Sequence, residues 1–228
     1  FCKESATRGH NIVLAGRDIS NLKALNEDLE IRSTSKIYSA LFDILDTDLH
    51  SDFYENLPIK IDLVVCFIGY LEASSSCEKN YNVAKKVFDV NFVCIVSILD
   101  IIANDFEKKK DGIIVALSST AGDRGRASRY HYASAKAALN TYLSGLRNRL
   151  FVSNVRVITI KPGYCNTRMI DGMNLPSFLT SDPQDVTNTI FNAINFNKDV
   201  SYVYKIWKWV MLIIKIIPEG IFKRLKIN

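Results

Sequence analysis

The chain has 228 residues, 48% of them hydrophobic and 23% charged, with 29 Lys and Arg against 24 Asp and Glu. That length suits a single α/β domain, and the composition excludes a disordered or collagen-like chain. The net charge of +5 lies in the last segment, where Lys205, Lys208, Lys215, Lys223, Arg224 and Lys226 face only Glu219. The neutral body therefore lacks the domain-wide basic face of a nucleic-acid binder.

Strand-like and helix-like segments alternate. Asn11 to Ala15 is an apolar run closed by Gly16, and Asp18 heads a helical stretch with Leu22, Leu25 and Leu29 at helical spacing. Lys36 to Asp43 reads as a strand, Thr47 to Leu57 as a short helix and Ile61 to Ile68 as a buried strand stopped by Gly69. A long helix over about Asn80 to Phe106 precedes the strand Gly112 to Leu117 and a loop from Gly122 to Ser128. A helix over about Tyr130 to Leu150 and the strand Val155 to Ile160, closed by Pro162-Gly163, complete the alternation. Near-continuous apolar strands between helices predict a doubly wound parallel sheet, Rossmann-like, with sites at the carboxyl ends of its strands. The predicted organisation is one domain over residues 1–204 and a basic segment over 205–228.

The five cysteines, Cys2, Cys66, Cys77, Cys94 and Cys165, have no CxxC spacing. They predict free thiols in a reducing compartment rather than a disulfide framework. His10, His50 and His131 do not cluster, so no metal site is expected. The opening residues lack the apolar core of a secretory leader, which predicts a cytoplasmic location.

The chemistry-bearing residues fall at strand ends. Thirteen residues after Ser119 comes Tyr132, and Lys136 follows at i+4, which puts phenol and ammonium on one helix face. A nearby ammonium is expected to lower the phenol pKa toward working pH, fitting Tyr132 to exchange a proton with an alcohol or carbonyl oxygen.

With Tyr132-Ala-Ser-Ala-Lys136, Ser119 and Asn91 in FDVNF, the chain resembles the short-chain dehydrogenase/reductase family. The resemblance implies that Tyr132 is the general acid/base and that Ser119 orients the substrate oxygen. It also implies that Lys136 tunes Tyr132 and binds the nicotinamide ribose, while Asn91 holds a relay water. Tyr130 projects to another face, and His131 reads as a helix-start residue.

Lys161 to Thr167 resembles the family's PGxxxT segment, implying that Pro162, Gly163 and Thr167 contact the cofactor. Asp43 is either the residue that meets the adenine amine or a helix cap. After the first strand stands Arg17, with Asp18 one step later at the capping position, so Arg17 faces a 2′-phosphate and NADP(H) is the expected cofactor. The family's opening strand and TGxxxGxG loop have no counterpart, and residues 4–17 resemble the end of the first helix and the second strand. As written, the chain is expected to bind cofactor poorly or not at all, since the loop that cradles the pyrophosphate is missing. The family's NNAG is replaced by Cys66-Phe67-Ile68-Gly69, which keeps only Gly69.

The tail places its lysines and Glu219 within a helical sector of about 80° and fills most of the rest with Trp207, Trp209, Met211, Leu212, Ile213, Ile214, Ile216 and Ile217. It is too interrupted by charge to span a bilayer, which takes about 20 apolar residues. The pattern fits an interfacial helix on anionic lipid, peripheral on the cytoplasmic membrane face, or a helix covering a core or a second copy in a homo-oligomer. It also resembles short-chain enzymes that reduce a keto-pentose on a polyprenyl phosphate in surface-polysaccharide synthesis, implying a small-molecule or lipid-linked ketone. Two rivals stand beside the reductase. One is a cofactor-free binding or scaffold protein, and the other a soluble enzyme for lipid or steroid ketones with an apolar lid from Met169, Ile170, Met173, Leu175 and Phe178.

Overall fold

The computed structural model describes residues 1–167 and 179–225. The chain forms two compact units, Phe1–Ile61 and Asp62–Asn228.

In the first unit, α1 (Cys2–Thr7) leads to β1 (Ile12–Gly16), α2 (Ile19–Arg32), β2 (Ile37–Leu41), a 3-10 turn and α3 (His50–Glu55). β1 and β2 run parallel, with Ile12 opposite Ile37 and Gly16 opposite Leu41. Asp18 starts α2 by accepting from the amides of Ser20 at 3.0 Å and Asn21 at 3.1 Å, as an N-cap should. The apolar spacing of α2 then buries Leu22 and Leu29 against Leu14, Ile37 and Ala6.

The second unit contains β3 (Leu63–Cys66), α4 (Ser74–Lys79), α5 (Tyr81–Phe88), a π turn at Asp89–Val93 and α6 (Cys94–Lys109). It continues with β4 (Ile113–Leu117), a 3-10 turn at Thr120–Asp123, α7 (Tyr130–Leu150) and β5 (Arg156–Lys161). The short strands β6 (Tyr164–Cys165) and β7 (Thr180–Ser181), α8 (Pro183–Asn195), β8 (Val200–Tyr202), α9 (Lys205–Ile216) and α10 (Glu219–Phe222) follow. Strands β3, β4, β5 and β8 form one parallel sheet in that order, each joined to the next through helices. Ile114 and Val115 of β4 and Ile158 and Ile160 of β5 are fully buried, as expected of strands covered on both faces.

The observed α/β fold is the Rossmann-like parallel-sheet class that the alternation predicts, with two local differences. The expected long helix over Asn80 to Phe106 is split by the π turn at Asp89–Val93 and preceded by the separate α4. The helix α8 and the strand β8 extend the alternation beyond the last strand expected; α8 buries Val186, Ile190, Phe191 and Ala193 on one face and is started by Pro183 in its first turn and an Asp182–Asp185 capping box. The tail breaks at Pro218, which has no amide to donate, into α9 and α10.

Candidate active site

β4 delivers Ser118 and Ser119 to its carboxyl end. Ser119 caps the following 3-10 turn, its Oγ accepting from the Ala121 amide at 3.1 Å, and its hydroxyl is near enough to Tyr132 to favour the phenolate. Gly122 makes this close approach possible. A Cβ there would lie 2.7 Å from the Lys136 carbonyl carbon, so only glycine lets the turn press on α7.

Lys136 and Tyr132 share one face of α7. Lys136 is 2% exposed, and its Nζ donates to the Leu117 carbonyl at 3.1 Å and lies 3.5 Å from that of Ile68. Nζ is 5.8 Å from the Tyr132 ring centroid. Burial lowers the Lys136 pKa to about 8, partly opposed by Cys66. Burial also pushes the Tyr132 phenol up, against the pull of the Ser119 hydroxyl and the Arg129 charge. This corrects the expectation that Lys136 lowers the phenol: the ammonium is spent on backbone carbonyls, and desolvation dominates at Tyr132. The phenol is thus held protonated at neutral pH, the state of a proton donor.

Asn91 is fully buried inside the π turn. Its Nδ2 donates to the carbonyls of Tyr70 at 2.6 Å and Val87 at 2.8 Å, and its Oδ1 accepts the Tyr70 amide at 3.1 Å. Both side-chain donors are thereby committed to backbone. Asn91 thus pins the loop after β3 that carries Gly69. A π turn often marks a functional position, and here it turns Asn91 inward.

The turn after β5 is tied to the serine segment by the Thr120 amide donating to the Pro162 carbonyl at 2.9 Å. Thr167 is exposed and its Oγ1 donates to the Cys165 carbonyl at 3.3 Å. A Cβ on Gly163 would lie 2.1 Å from the Trp207 indole nitrogen, so this glycine gives room to the tail.

Sequence reasoning missed Asp123. It is buried, binding Lys161 Nζ at 2.6 Å and the Tyr202 hydroxyl at 2.7 Å. Removing either charge alone would strand the other, a cost of about 3–5 kcal/mol. The Gly-rich loop holding Asp123 was the available signal, but its partner lies 38 residues away.

Tyr130 donates to Glu78 at 2.9 Å and stacks on His131, whose ring faces Ser74. Both serve structure, as the helix-start reading expects. The apolar lid residues Met169, Ile170, Met173, Leu175 and Phe178 lie outside the described residues.

In the first unit, the carboxyl ends of β1 and β2 open on a cleft of about 310 Å³ that brings Arg17 and Asp43 together with Phe42 and His50. Asp18 is consumed as the α2 cap, which leaves Arg17 as the charged group from the end of β1 in that cleft. Asp43 Oδ1 accepts the Leu45 amide at 3.0 Å, so this carboxylate caps a turn while also lining the cleft.

This fold, with a serine, a tyrosine and a lysine gathered at the end of β4, defines an oxidoreductase of the Rossmann-like class. Residues 1–176 match the short chain dehydrogenase profile, and the chain belongs to that family. It is similar to an uncharacterized oxidoreductase of Mycobacterium tuberculosis, 27% identical over 95% of this chain and 88% of that one. It is also similar to the 3-oxoacyl-[acyl-carrier-protein] reductase FabG of Chlamydia muridarum, 28% identical over 76% of this chain and 71% of that one. A short-chain dehydrogenase from Sphingobium yanoikuyae, solved in complex with NADPH, superposes with a TM-score of 0.81 at 17% identity, over 98% of this chain and 89% of that one. A bulky-bulky ketone specific alcohol dehydrogenase from Comamonas testosteroni gives 0.80 at 18% identity, over 98% and 88% of the two chains.

Proposed function

We propose that the protein is an NADP(H)-dependent carbonyl reductase whose ketone is apolar or lipid-linked and is met at a membrane surface. The observation that carries the reading is geometric: Ser119 stands at the end of β4, and Tyr132 and Lys136 share one face of α7, with the Lys136 ammonium 5.8 Å from the centroid of the partly buried Tyr132 ring.

Each unit by itself carries residues of the kind a nicotinamide cofactor would need. Arg17 and Asp43 would hold the adenosine end, with the Arg17 guanidinium neutralising a 2′-phosphate. Lys136 and Tyr132 would hold the nicotinamide ribose, and Gly69, Pro162, Gly163 and Thr167 the segments around it. When bound, the cofactor supplies the hydride.

Tyr132 donates its proton as negative charge builds on the substrate oxygen, and Ser119 orients that oxygen by hydrogen bonding. Lys136, fixed by the Leu117 carbonyl, stabilises the phenolate that forms and takes part in its reprotonation. Asn91 holds the loop after β3 in place. The NADPH of the Sphingobium neighbour and the ketone of the Comamonas neighbour are in keeping with this reading.

A panel of ketones tested with NADPH and with NADH, using the protein as its gene encodes it, is expected to show NADPH oxidation with apolar ketones. A polyprenyl-linked keto-sugar belongs in the panel because of the tail resemblance. No oxidation of either cofactor with any ketone overturns the reading. Arg17→Ala is expected to weaken NADPH binding about 10- to 100-fold, the value of a charge-assisted contact, and to leave NADH within about twofold. Equal losses for both, measured by fluorescence titration, remove Arg17 as the phosphate reader.

The membrane part of the reading rests on α9. Its stripe Trp207, Met211 and Ile214 is buried against Tyr164, Leu179 and Tyr202. On its other side Ile206, Trp209, Leu212, Ile213 and Ile216 are exposed, Trp209 by 61% and Ile216 by 70%. Lys205, Lys208 and Lys215 adjoin that exposed face. Apolar side chains edged by cations fit an anionic lipid surface, each lysine contributing about 1 kcal/mol. The intact chain is expected to float with anionic vesicles, and Trp209→Glu with Ile213→Glu to stay behind with an unchanged melting temperature. Equal flotation of the double variant, or dimerisation without flotation in light scattering, overturns the membrane assignment.

A further inference from the structure

The C-terminal helices touch the site's framework twice. Trp207 packs on the Cα of Gly163 and donates its indole N–H to the Leu179 carbonyl at 3.3 Å, with its ring edge-on to Tyr164 at 5.7 Å. Independently, Arg124, the residue that follows the serine segment's 3-10 turn, reaches the end of α9. Its Nη1 donates to the carbonyls of Ile214 at 2.5 Å and Ile217 at 2.6 Å, and its Nη2 to Glu219 Oε2 at 2.8 Å. The guanidinium lies 3.7 Å from the centroid of the Phe222 ring.

Each contact has a chemical reason. The last carbonyls of a helix have no intrahelical donor, and Pro218 cannot supply an amide to continue the ladder. A planar guanidinium, with five donors and a face that stacks on a ring, satisfies several of these acceptors at once, which a lysine cannot do. The Arg124 side chain is only 15% exposed, so these bonds are made largely out of water.

At its other end the same six-residue segment is held without slack. The Ser119 hydroxyl meets Tyr132, the Thr120 amide is on Pro162, Gly122 is pressed on the Lys136 backbone, and Asp123 grips Lys161 and Tyr202. A shift at Arg124 must therefore be passed toward Ser119.

We propose that Arg124 is a positioning residue: by clamping the Ser119–Arg124 segment to α9 and α10, it holds the Ser119 hydroxyl on Tyr132. The C-terminal helices are thereby part of the frame of the active site. This rests on Ser119 and Tyr132 being the reacting pair, and does not depend on what the outer face of α9 meets.

The test is Arg124→Gln beside Arg124→Lys and Tyr132→Phe, in the protein as its gene encodes it. Arg124→Gln is expected to lower kcat about 10- to 100-fold, the scale of a misplacement of about 1 Å, with KM for NADPH within about twofold. Because the nearby Ser119 hydroxyl favours the phenolate, its displacement is also expected to move the Tyr132 ionisation to higher pH, read by phenol absorbance against Tyr132→Phe. Arg124→Lys restores part of kcat through a single carbonyl contact.

Wild-type kcat and unchanged Tyr132 ionisation in Arg124→Gln, with Tyr132→Phe inactive, overturn the inference alone. An active Tyr132→Phe overturns the reading of the site instead. Should Arg124→Gln not fold, Glu219→Gln with Phe222→Ala removes two partners and leaves Arg124 in place. That pair must lower kcat in the same direction, and an unchanged kcat there overturns the proposal.

Discussion

Tyr132→Phe is expected to lower kcat for ketone reduction by about 10²- to 10⁴-fold, the usual contribution of a positioned proton donor. The substitution removes one hydroxyl and leaves the ring, which packs with Tyr70 and Val83 against Cys77, Ala84 and Val87. NADPH binding is therefore expected within about threefold of wild type, since the ring fills the same space and Lys136 keeps its own backbone anchors. Loss of kcat with retained binding separates proton donation from cofactor placement; it is read by NADPH fluorescence quenching beside steady-state turnover. The pH dependence gives a second check. A phenol pushed up by burial stays protonated through neutral pH, so reduction should not fall as Tyr132 loses its proton near pH 7. Normal turnover in Tyr132→Phe would end the assignment.

Lys136→Met is expected to inactivate the enzyme while making the fold more stable near neutral pH. Burial carries the Lys136 pKa from 10.5 to about 8, a differential of about 3 kcal/mol against the charged form. Below pH 8 the lysine is charged in both folded and unfolded states, so the folded protein bears the whole penalty. Between about 8 and 10.5 the unfolded chain binds a proton that the folded protein does not, so stability rises with pH. Methionine has similar bulk and no charge, but leaves the Leu117 carbonyl without its donor, at a cost of about 1 kcal/mol. The net gain is about 2 kcal/mol at pH 7, shrinking to about zero near pH 9.5. Urea midpoints of both proteins at the two pH values measure it. A variant less stable than wild type at pH 7, or one with the same slope between pH 8 and 9.5, would show that Lys136 is not held charged against burial. The trade of stability for a buried ammonium is typical of catalytic lysines.

Much of the fold was legible in the chain because its signals are local. The helix over Tyr130 to Leu150 has the same ends in sequence and structure, since its buried residues Ala133, Leu139, Leu143, Leu146 and Leu150 recur at helical spacing. The strands differ from their expected limits by one or two residues, as boundaries defined by hydrogen bonding usually do. The π turn around Asn91 was not legible, because an extra residue in one turn leaves the apolar pattern on either side intact. Asp18 was readable as a cap from its place before an apolar run, and that reading left Arg17 as the candidate for a 2′-phosphate.

The proton chemistry of the site divides along the same line. Spacing alone placed Ser119, Tyr132 and Lys136 in one neighbourhood. The direction of the Tyr132 shift depended on where the Lys136 ammonium finds its acceptors, and those are the Leu117 and Ile68 carbonyls, 19 and 68 residues away. No local pattern could rank that desolvation above the attraction between the two groups.

The tail shows the division most plainly. The sequence by itself determined that residues 205–225 form a basic, apolar-rich helical segment broken at Pro218, because charge, period and a missing amide are properties of the chain. Only the tertiary structure decided that its apolar circumference splits in two. Trp207, Met211 and Ile214 meet the body through the bare Cα of Gly163, Arg124 caps the orphaned carbonyls of α9, and Trp209, Ile213 and Ile216 are left facing outward. The period of a helix specifies which side chains share a face, but which face finds a partner is set by residues far away in the chain, and these meet only when the sheet is assembled.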